Sequence, residues 1–256
     1  MLFTDRIEFS TNLLIVLFVF ISYALIGFFD DYISIKRKRN KGLTQFQKLL
    51  LQFVVALIFY ILFCEYTSGD SVLEITLLNI EWDLNWFYGI FILLLLVGSS
   101  NAVNLTDGLD GLAGGLSVIA FLAFGLLSWG SYWVEGYQDI GIFCFVLVGS
   151  IMGFLVFNSH PAKVFMGDTG SLTLGATLAT IAILTSHELS LAVIGGVFVI
   201  ETLTVIIQIF SVMVFKKKVF LMTPIHHHFE RLGWSENDIV KLFWIVGFIL
   251  SLIALV

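Results

Sequence analysis

Five aspartates, Asp30, Asp31, Asp107, Asp110 and Asp168, stand at the mouths of long apolar runs in this chain. A carboxylate so close to hydrocarbon must be paired, solvated or bound to a cation to stay ionised. Asp30 and Asp31 are adjacent, so they can share a cation or separate in pKa, leaving one able to take a proton from a phosphate or hydroxyl. A charged stop to a membrane helix, anchored to lipid headgroups by the basic run that follows, accounts for the same residues. Lys48, one turn into the next apolar run, serves either as a snorkelling cation or as a phosphate contact.

A second group is Asn101-Ala-Val-Asn104-Leu-Thr-Asp107-Gly-Leu-Asp110-Gly. If helical, Asn101, Asn104, Asp107 and Asp110 recur at every third residue and make one polar stripe, with Thr106 beside it. Such oxygen donors suit Mg²⁺. Gly108, Gly111, Gly114 and Gly115 permit close approach of a bulky ligand or a neighbouring helix. No Gly-Lys-Ser/Thr follows, so this is not a Walker loop. A glycine-rich packing face with polar caps explains the glycines but not four aligned polar residues.

The third group runs from Asn158 to Ser171. Asp168, Thr169 and Ser171 either cap the following helix or help to hold a phosphate at its N-terminus, with Asp168 on the metal that the phosphate shares. Phe165 stacks on a base or anchors the loop in the interface. The fourth contains His226, His227 and His228, which diverge in any regular backbone and do not all ligate one ion. They bind diphosphate oxygens, move protons near neutral pH, or sit solvated at headgroup level. Glu201 and Gln208, seven apart in an apolar run, share one helical face in a packing, groove-lining or catalytic role.

The elements that position these groups follow from composition. With 59% hydrophobic residues, 26 Phe and a mean hydropathy of +1.00, 256 residues folded as a soluble domain would expose large apolar patches. An all-α, polytopic integral membrane protein is expected, with about eight spans of suitable length. They are drawn over Thr11 to Phe29, Phe46 to Cys64, Asn85 to Ser100, Gly111 to Trp133, Ile140 to Phe157, Gly170 to Thr185, Leu189 to Phe215 and Ile239 to Val256. Met1 to Ser10 carries Asp5 and Glu8 against Arg6 with no cleavage site after the run, so a retained first span is expected. Cys64 and Cys144 fall in or beside spans and offer no disulfide framework. The net charge of -6 speaks against a nucleic-acid partner.

Lys36, Arg37, Lys38, Arg39, Lys41 and Lys48 lie around the first connection, and Lys216, Lys217, Lys218, Arg231 and Lys241 around the last. The positive-inside rule makes both cytoplasmic, and counting spans places the Asn101 to Asp110 and Asn158 to Asp168 connections with them. The opposite connections carry Glu65, Asp70, Glu74, Glu81 and Asp83, then Glu135 and Asp139, without Lys or Arg. Trp82, Trp86, Tyr132 and Trp133 fit an interfacial belt on that side. A transporter or channel is the competing class, but its ionisable residues would lie near the midplane, not at one edge.

Phe-Phe-Asp30-Asp31-Tyr, the Asn101 to Gly111 stretch, Phe165-Met-Gly-Asp168-Thr-Gly-Ser171 and Pro224-Ile-His226-His227-His228-Phe229-Glu230 together resemble the polyprenyl-phosphate N-acetylhexosamine-1-phosphate transferases. The His-His-His-Phe-Glu stretch is similar to the muramoyl branch and separates it from relatives that transfer GlcNAc-1-phosphate. The resemblance implies a Mg²⁺-dependent transfer of phospho-MurNAc-pentapeptide from UDP-MurNAc-pentapeptide to undecaprenyl phosphate, giving lipid I and UMP at a bacterial plasma membrane. It implies Asp168 as the main metal ligand with Asn104 nearby, Asp30 as base or activator of the lipid phosphate, and Asp31 and Asp107 in the same catalytic cluster. Asp110 and Phe165 are implied as uridine contacts, and His226, His227, His228 and Lys48 as diphosphate or sugar contacts. A homodimer is implied as well.

The resemblance covers essentially residues 1–256 as one transmembrane domain, and departs from the family in two places. Ser34 stands where many members have Lys, with Lys36 or Arg37 as substitutes. Family members have ten spans, and the usual first two, which carry a Pro-Thr-Met-Gly-Gly motif, are not matched. A shortened and inactive homologue is therefore a further expectation to set beside the active enzyme.

Overall fold

The computed structural model describes residues 10–38, 42–67, 72–75, 80–129 and 137–255. Expectations for Met1 to Phe9, Arg39, Lys41, Asp70, Tyr132, Trp133 and Glu135 lie outside the described residues. Within them the chain forms ten helices and one two-stranded hairpin. Seven helices are long and apolar enough to cross a membrane. They are α1 (Thr11–Arg37), α2 (Gln45–Tyr66), α3 (Phe87–Thr106), α4 (Leu112–Trp129), α5 (Gln138–Asn158), α8 (Gly196–Phe215) and α10 (Glu236–Ala254). This is a multi-pass membrane protein.

The remaining expected span, drawn over Gly170 to Thr185, is α6 (Gly167–Leu184), which is less apolar for a structural reason. Every residue from Ser171 to Leu184 is buried, with α1 and α3 packed along it, so α6 is solvated by protein and not by lipid. Three of its hydroxyls are satisfied within the helix: Thr173, Thr177 and Thr180 donate to the carbonyls of Thr169, Thr173 and Ala176. Close approach is set by Gly175, where a Cβ would stand 2.3 Å from the Ser99 carbonyl oxygen of α3.

One expectation is corrected. The single span drawn over Leu189 to Phe215 is broken into α7 (Glu188–Ile194) and α8 at the Gly195-Gly196 pair, a sequence that tolerates a sharp change of direction. The fold is all-α as expected, and the connection between α2 and α3 adds a short antiparallel hairpin, β1 (Val72–Ile75) and β2 (Ile80–Asp83), with Val72 opposite Asp83. Its β1 strand packs against α7, and the Tyr88 hydroxyl of α3 donates to Glu188 of α7, closing the end of the bundle remote from the aspartates.

The first span is longer than expected. Helix α1 starts at the Ser10 cap, whose hydroxyl accepts from Leu13 N at 3.1 Å, and runs 27 residues to Lys38, left-handed at φ 47. That is about 40 Å at 1.5 Å per residue, beyond the hydrocarbon thickness of about 30 Å. Asp30 and Asp31 therefore ride on a helix, not in a loop. Consecutive helical residues point about 100° apart, so the two carboxylates meet different partners.

Candidate active site

Asp30 turns toward the start of α2. Its Oδ1 accepts from Leu43 N at 2.9 Å and lies 3.5 Å from the Lys48 ammonium, which also contacts Asp168. Lys48 is set there by a capping box: Thr44 accepts from Gln47 N at 3.2 Å and Gln47 Oε1 accepts from Thr44 N at 3.0 Å. Asp31 turns toward α6 instead. It accepts from Asp168 N at 3.3 Å, Thr169 N at 2.9 Å and Thr169 Oγ1 at 2.6 Å, so one helix caps another.

That cap explains Gly167, which has φ +65 and whose Cβ would lie 2.8 Å from Asp31 Oδ2. Any side chain there is strained by the backbone and collides with the carboxylate. Behind it, a Cβ on Gly27 would stand 2.3 Å from the Asp168 carbonyl, so α1 meets the first turn of α6 directly.

Asp168 is held from a third side. The Asn104 amide donates to Asp168 Oδ1 at 2.8 Å and to Ser171 Oγ at 2.9 Å. Carboxylate oxygens of Asp30, Asp31 and Asp168 lie within 4.8 Å of one another, a hard-oxygen set of the kind a divalent cation takes. Asp107, just past the end of α3, completes the group. Burial first, then the charges of Asp168 and Asp31, push its carboxyl up to about 7.

The four-residue polar stripe does not form. Helix α3 stops at Thr106, Asp107 takes φ -77 and ψ 52, and Gly111 takes φ +79, because glycines interrupt the helical repeat. Asn101 is drawn away to Gln52 Oε1 at 2.7 Å, and the Thr106 hydroxyl bonds back to Ala102 O. Asp110 enters a second cluster. Its Oδ2 accepts from Ala162 N at 2.9 Å and lies 3.2 Å from His160 Nδ1, while its own N donates to Glu236 Oε1 at 2.6 Å. Sequence reasoning missed His160 and Glu236; their partner lies 50 and 126 residues away.

The remaining glycines serve packing. Cβ atoms on Gly114 and Gly115 would meet Leu155 of α5 and Trp244 of α10. Phe165 is 75% exposed on the loop before α6, free to stack on a planar ligand.

The three histidines diverge, carried on α9 (Ile225–Arg231). His226 is wholly buried, with Nδ1 3.1 Å from Glu201 Oε1, and its ring lies where a Cβ on Gly108 would be. It supports the 107–111 turn from behind. His227 pairs with Glu230 at 2.5 Å, and His228 Nδ1 accepts from Leu221 N at 3.1 Å. Gln208 accepts from Val219 N and Phe220 N, both at 3.0 Å, which ties the connection to α9 onto α8. Glu201 and Gln208 thus both pack the fourth connection.

Residues 13–186 match the family model described as glycosyl transferase family 4. The chain belongs to this family. Among its relatives, the phospho-N-acetylmuramoyl-pentapeptide-transferase of Bacillus subtilis is 50% identical over 97% of this chain and 75% of its own length. The protein of that name from Bacillus licheniformis is 49% identical over the same shares, and that from Anoxybacillus flavithermus 51%. The chain spans about three quarters of the length of each relative. Within this transferase family, the group of Asp30, Asp31, Asp107 and Asp168 with Lys48 and Asn104 gathers the motif residues of three connections at one end of the bundle.

Proposed function

We propose that this protein transfers phospho-MurNAc-pentapeptide from UDP-MurNAc-pentapeptide to undecaprenyl phosphate, forming lipid I and releasing UMP in peptidoglycan synthesis. The observation that carries the proposal is the meeting of Asp30, Asp31 and Asp168 with Lys48 at the ends of the spans α1 and α2 and the buried helix α6. A lipid-borne phosphate and a soluble nucleotide can meet only at a membrane edge. The basic residues Lys36, Arg37 and Lys216 to Lys218 support, through the positive-inside rule, a cytoplasmic location for this site, which the proposed reaction assigns to a bacterial plasma membrane.

The three carboxylates of Asp30, Asp31 and Asp168 fit a divalent metal, since they are hard oxygen donors close together and the single ammonium of Lys48 offsets only one of their charges. Asp168, Asp30 and Asp31 would hold Mg²⁺, with Asn104 steadying Asp168 beside it, and the ion would supply charge neutralisation to the phosphates. Asp31 keeps the first turn of α6 docked on α1, so the position of Asp168 is fixed before substrate arrives.

Asp30 takes a proton from the lipid phosphate, and Lys48 pairs with the phosphate oxygens. A phosphate oxygen then forms a bond to the sugar-linked β-phosphorus, and the α–β bridge breaks to leave UMP. Phe165 stacks on the uracil, Asp110 orients the nucleoside, and His227 and His228 face the sugar diphosphate. His226 acts through the turn it supports. We favour direct attack, because the carboxylates of Asp30, Asp31 and Asp168 are each engaged by donors that hold them in place.

The test is UMP release by purified protein in lipid nanodiscs with Mg²⁺ and both substrates. Release with UDP-MurNAc-pentapeptide and not with UDP-GlcNAc supports the reading; the reverse preference overturns it in favour of a GlcNAc-1-phosphate transferase. Absence of release with either overturns activity for this chain.

A further inference from the structure

We propose that Asp110, His160 and Glu236 form a second metal site, which takes a borderline transition-metal dication of the Zn²⁺ class in preference to Mg²⁺. The three residues come from the turn after α3, the connection after α5 and the first turn of α10, and their ligand atoms lie within 4.8 Å of one another. His160 Nδ1 is 3.2 Å from Asp110 Oδ2 and 3.1 Å from Glu236 Oε2. A single ring nitrogen carries at most one hydrogen, which serves only one carboxylate well. A cation between the three atoms serves all of them.

The spacing suits such an ion. Ligand distances of about 2.0 to 2.2 Å around a tetrahedral Zn²⁺ set its donors about 3.4 Å apart. The imidazole-to-oxygen separations fall just short of that edge, so small side-chain rotations are enough. Both carboxylates are already held from the backbone: Ala162 N donates to Asp110 at 2.9 Å and Asp110 N donates to Glu236 at 2.6 Å. The side chains of His160, Asp110 and Glu236 are 40%, 18% and 26% exposed, which gives an ion access and leaves an open coordination position. On binding, His160 ligates through Nδ1 as the neutral ring, with its proton on Nε2.

The imidazole sets the preference. Nitrogen donors favour Zn²⁺, Ni²⁺ and Co²⁺, whereas the all-oxygen group of Asp30, Asp31 and Asp168 favours Mg²⁺. One consequence rests on the role proposed above for Asp110: a metal there competes with the nucleoside and inhibits transfer. Binding itself does not depend on that role.

Co²⁺, whose visible absorption reports nitrogen and oxygen coordination, tests the site on the intact chain of 256 residues in excess Mg²⁺. Expected is a Mg²⁺-resistant band that persists in Asp168→Asn and weakens in affinity at least about ten-fold in His160→Gln and in Glu236→Gln. A band unchanged by His160→Gln, or no Mg²⁺-resistant band in the wild type, overturns the proposal. If the variants misfold, wild-type protein decides: Zn²⁺ but not Mg²⁺ must protect His160 from acylation by diethyl pyrocarbonate, read by peptide mass spectrometry. Unprotected His160 overturns the site. Uridine nucleotide displacing Co²⁺ supports the competition, and its failure to do so with the band intact overturns only the proposed contact of Asp110.

Discussion

Asp30, Asp31 and Asp168 project from the turns of two packed helices, whereas Asp110 and His160 lie on connections and meet Glu236 at the start of a third helix. The first cluster is oxygen-only, with a lysine ammonium inside it; the second has an imidazole between two carboxylates. Helices α1 and α6 approach so closely that Gly27 and Gly167 have no room for a side chain, and that contact fixes the first cluster to the rigid centre of the bundle. The second depends on three backbone segments staying together. In the function proposed above, chemistry on phosphate uses the fixed cluster, and recognition of a nucleoside uses the adaptable one.

The sharpest way to break this comparison is to remove the fixed cluster's central carboxylate. Asp168→Ala is expected to lower UMP release by at least about 10³-fold while a uridine nucleotide still binds, measured by kinetics and by nucleotide titration. Loss of nucleotide affinity with residual turnover would reverse the roles of the two clusters. Next is Lys48→Ala, expected to cost about 10²-fold in kcat because the carboxylates lose their shared counter-charge. Lys48→Arg is expected to restore little, since a planar fork does not replace a compact ammonium between Asp30 and Asp168.

Smaller still is Phe165→Ala. Its ring is exposed and touches the nucleoside in our reading, so KM for the UDP substrate is expected to rise about ten-fold with kcat nearly unchanged, and Phe165→Tyr to restore it. An unchanged KM would return Phe165 to the membrane interface as a loop anchor.

The first cluster was legible in the sequence because its residues sit at helix ends, where hydropathy, capping and charge mark them. Asp168-Thr-Gly-Ser171 announces a helix start, and α6 does begin at Gly167. What was not legible is who caps it: the carboxylate comes from Asp31, 137 residues away. The polar stripe failed for a local reason, since a helical period was extended through Gly108 and Gly111. His160 and Glu236 failed for a global one, as each is an ordinary loop or first-turn residue until the fold joins them at Asp110. The break at Gly195 was in the sequence as a Gly-Gly pair and was overridden by continuous hydropathy on both sides.

Asp107 tests the boundary between the clusters, lying three residues before Asp110 yet feeling the charges of Asp168 and Asp31. Its carboxyl is raised from the ordinary 3.8 to about 7, chiefly by burial. An unfolded chain loses this proton near the ordinary value and the folded protein near neutrality. Between those limits the folded state holds more protons, so the stability contributed by the protonated group is present at low pH and is lost as pH rises through about 7. With chelator present, the Tm of wild-type protein is expected to fall across that range more steeply than the Tm of Asp107→Asn, whose side chain stays neutral. Equal slopes would mean that Asp107 ionises freely, detached from the carboxylates on α1 and α6. The fixed cluster would then end at the helices, and the 107–111 turn would belong wholly to the adaptable one.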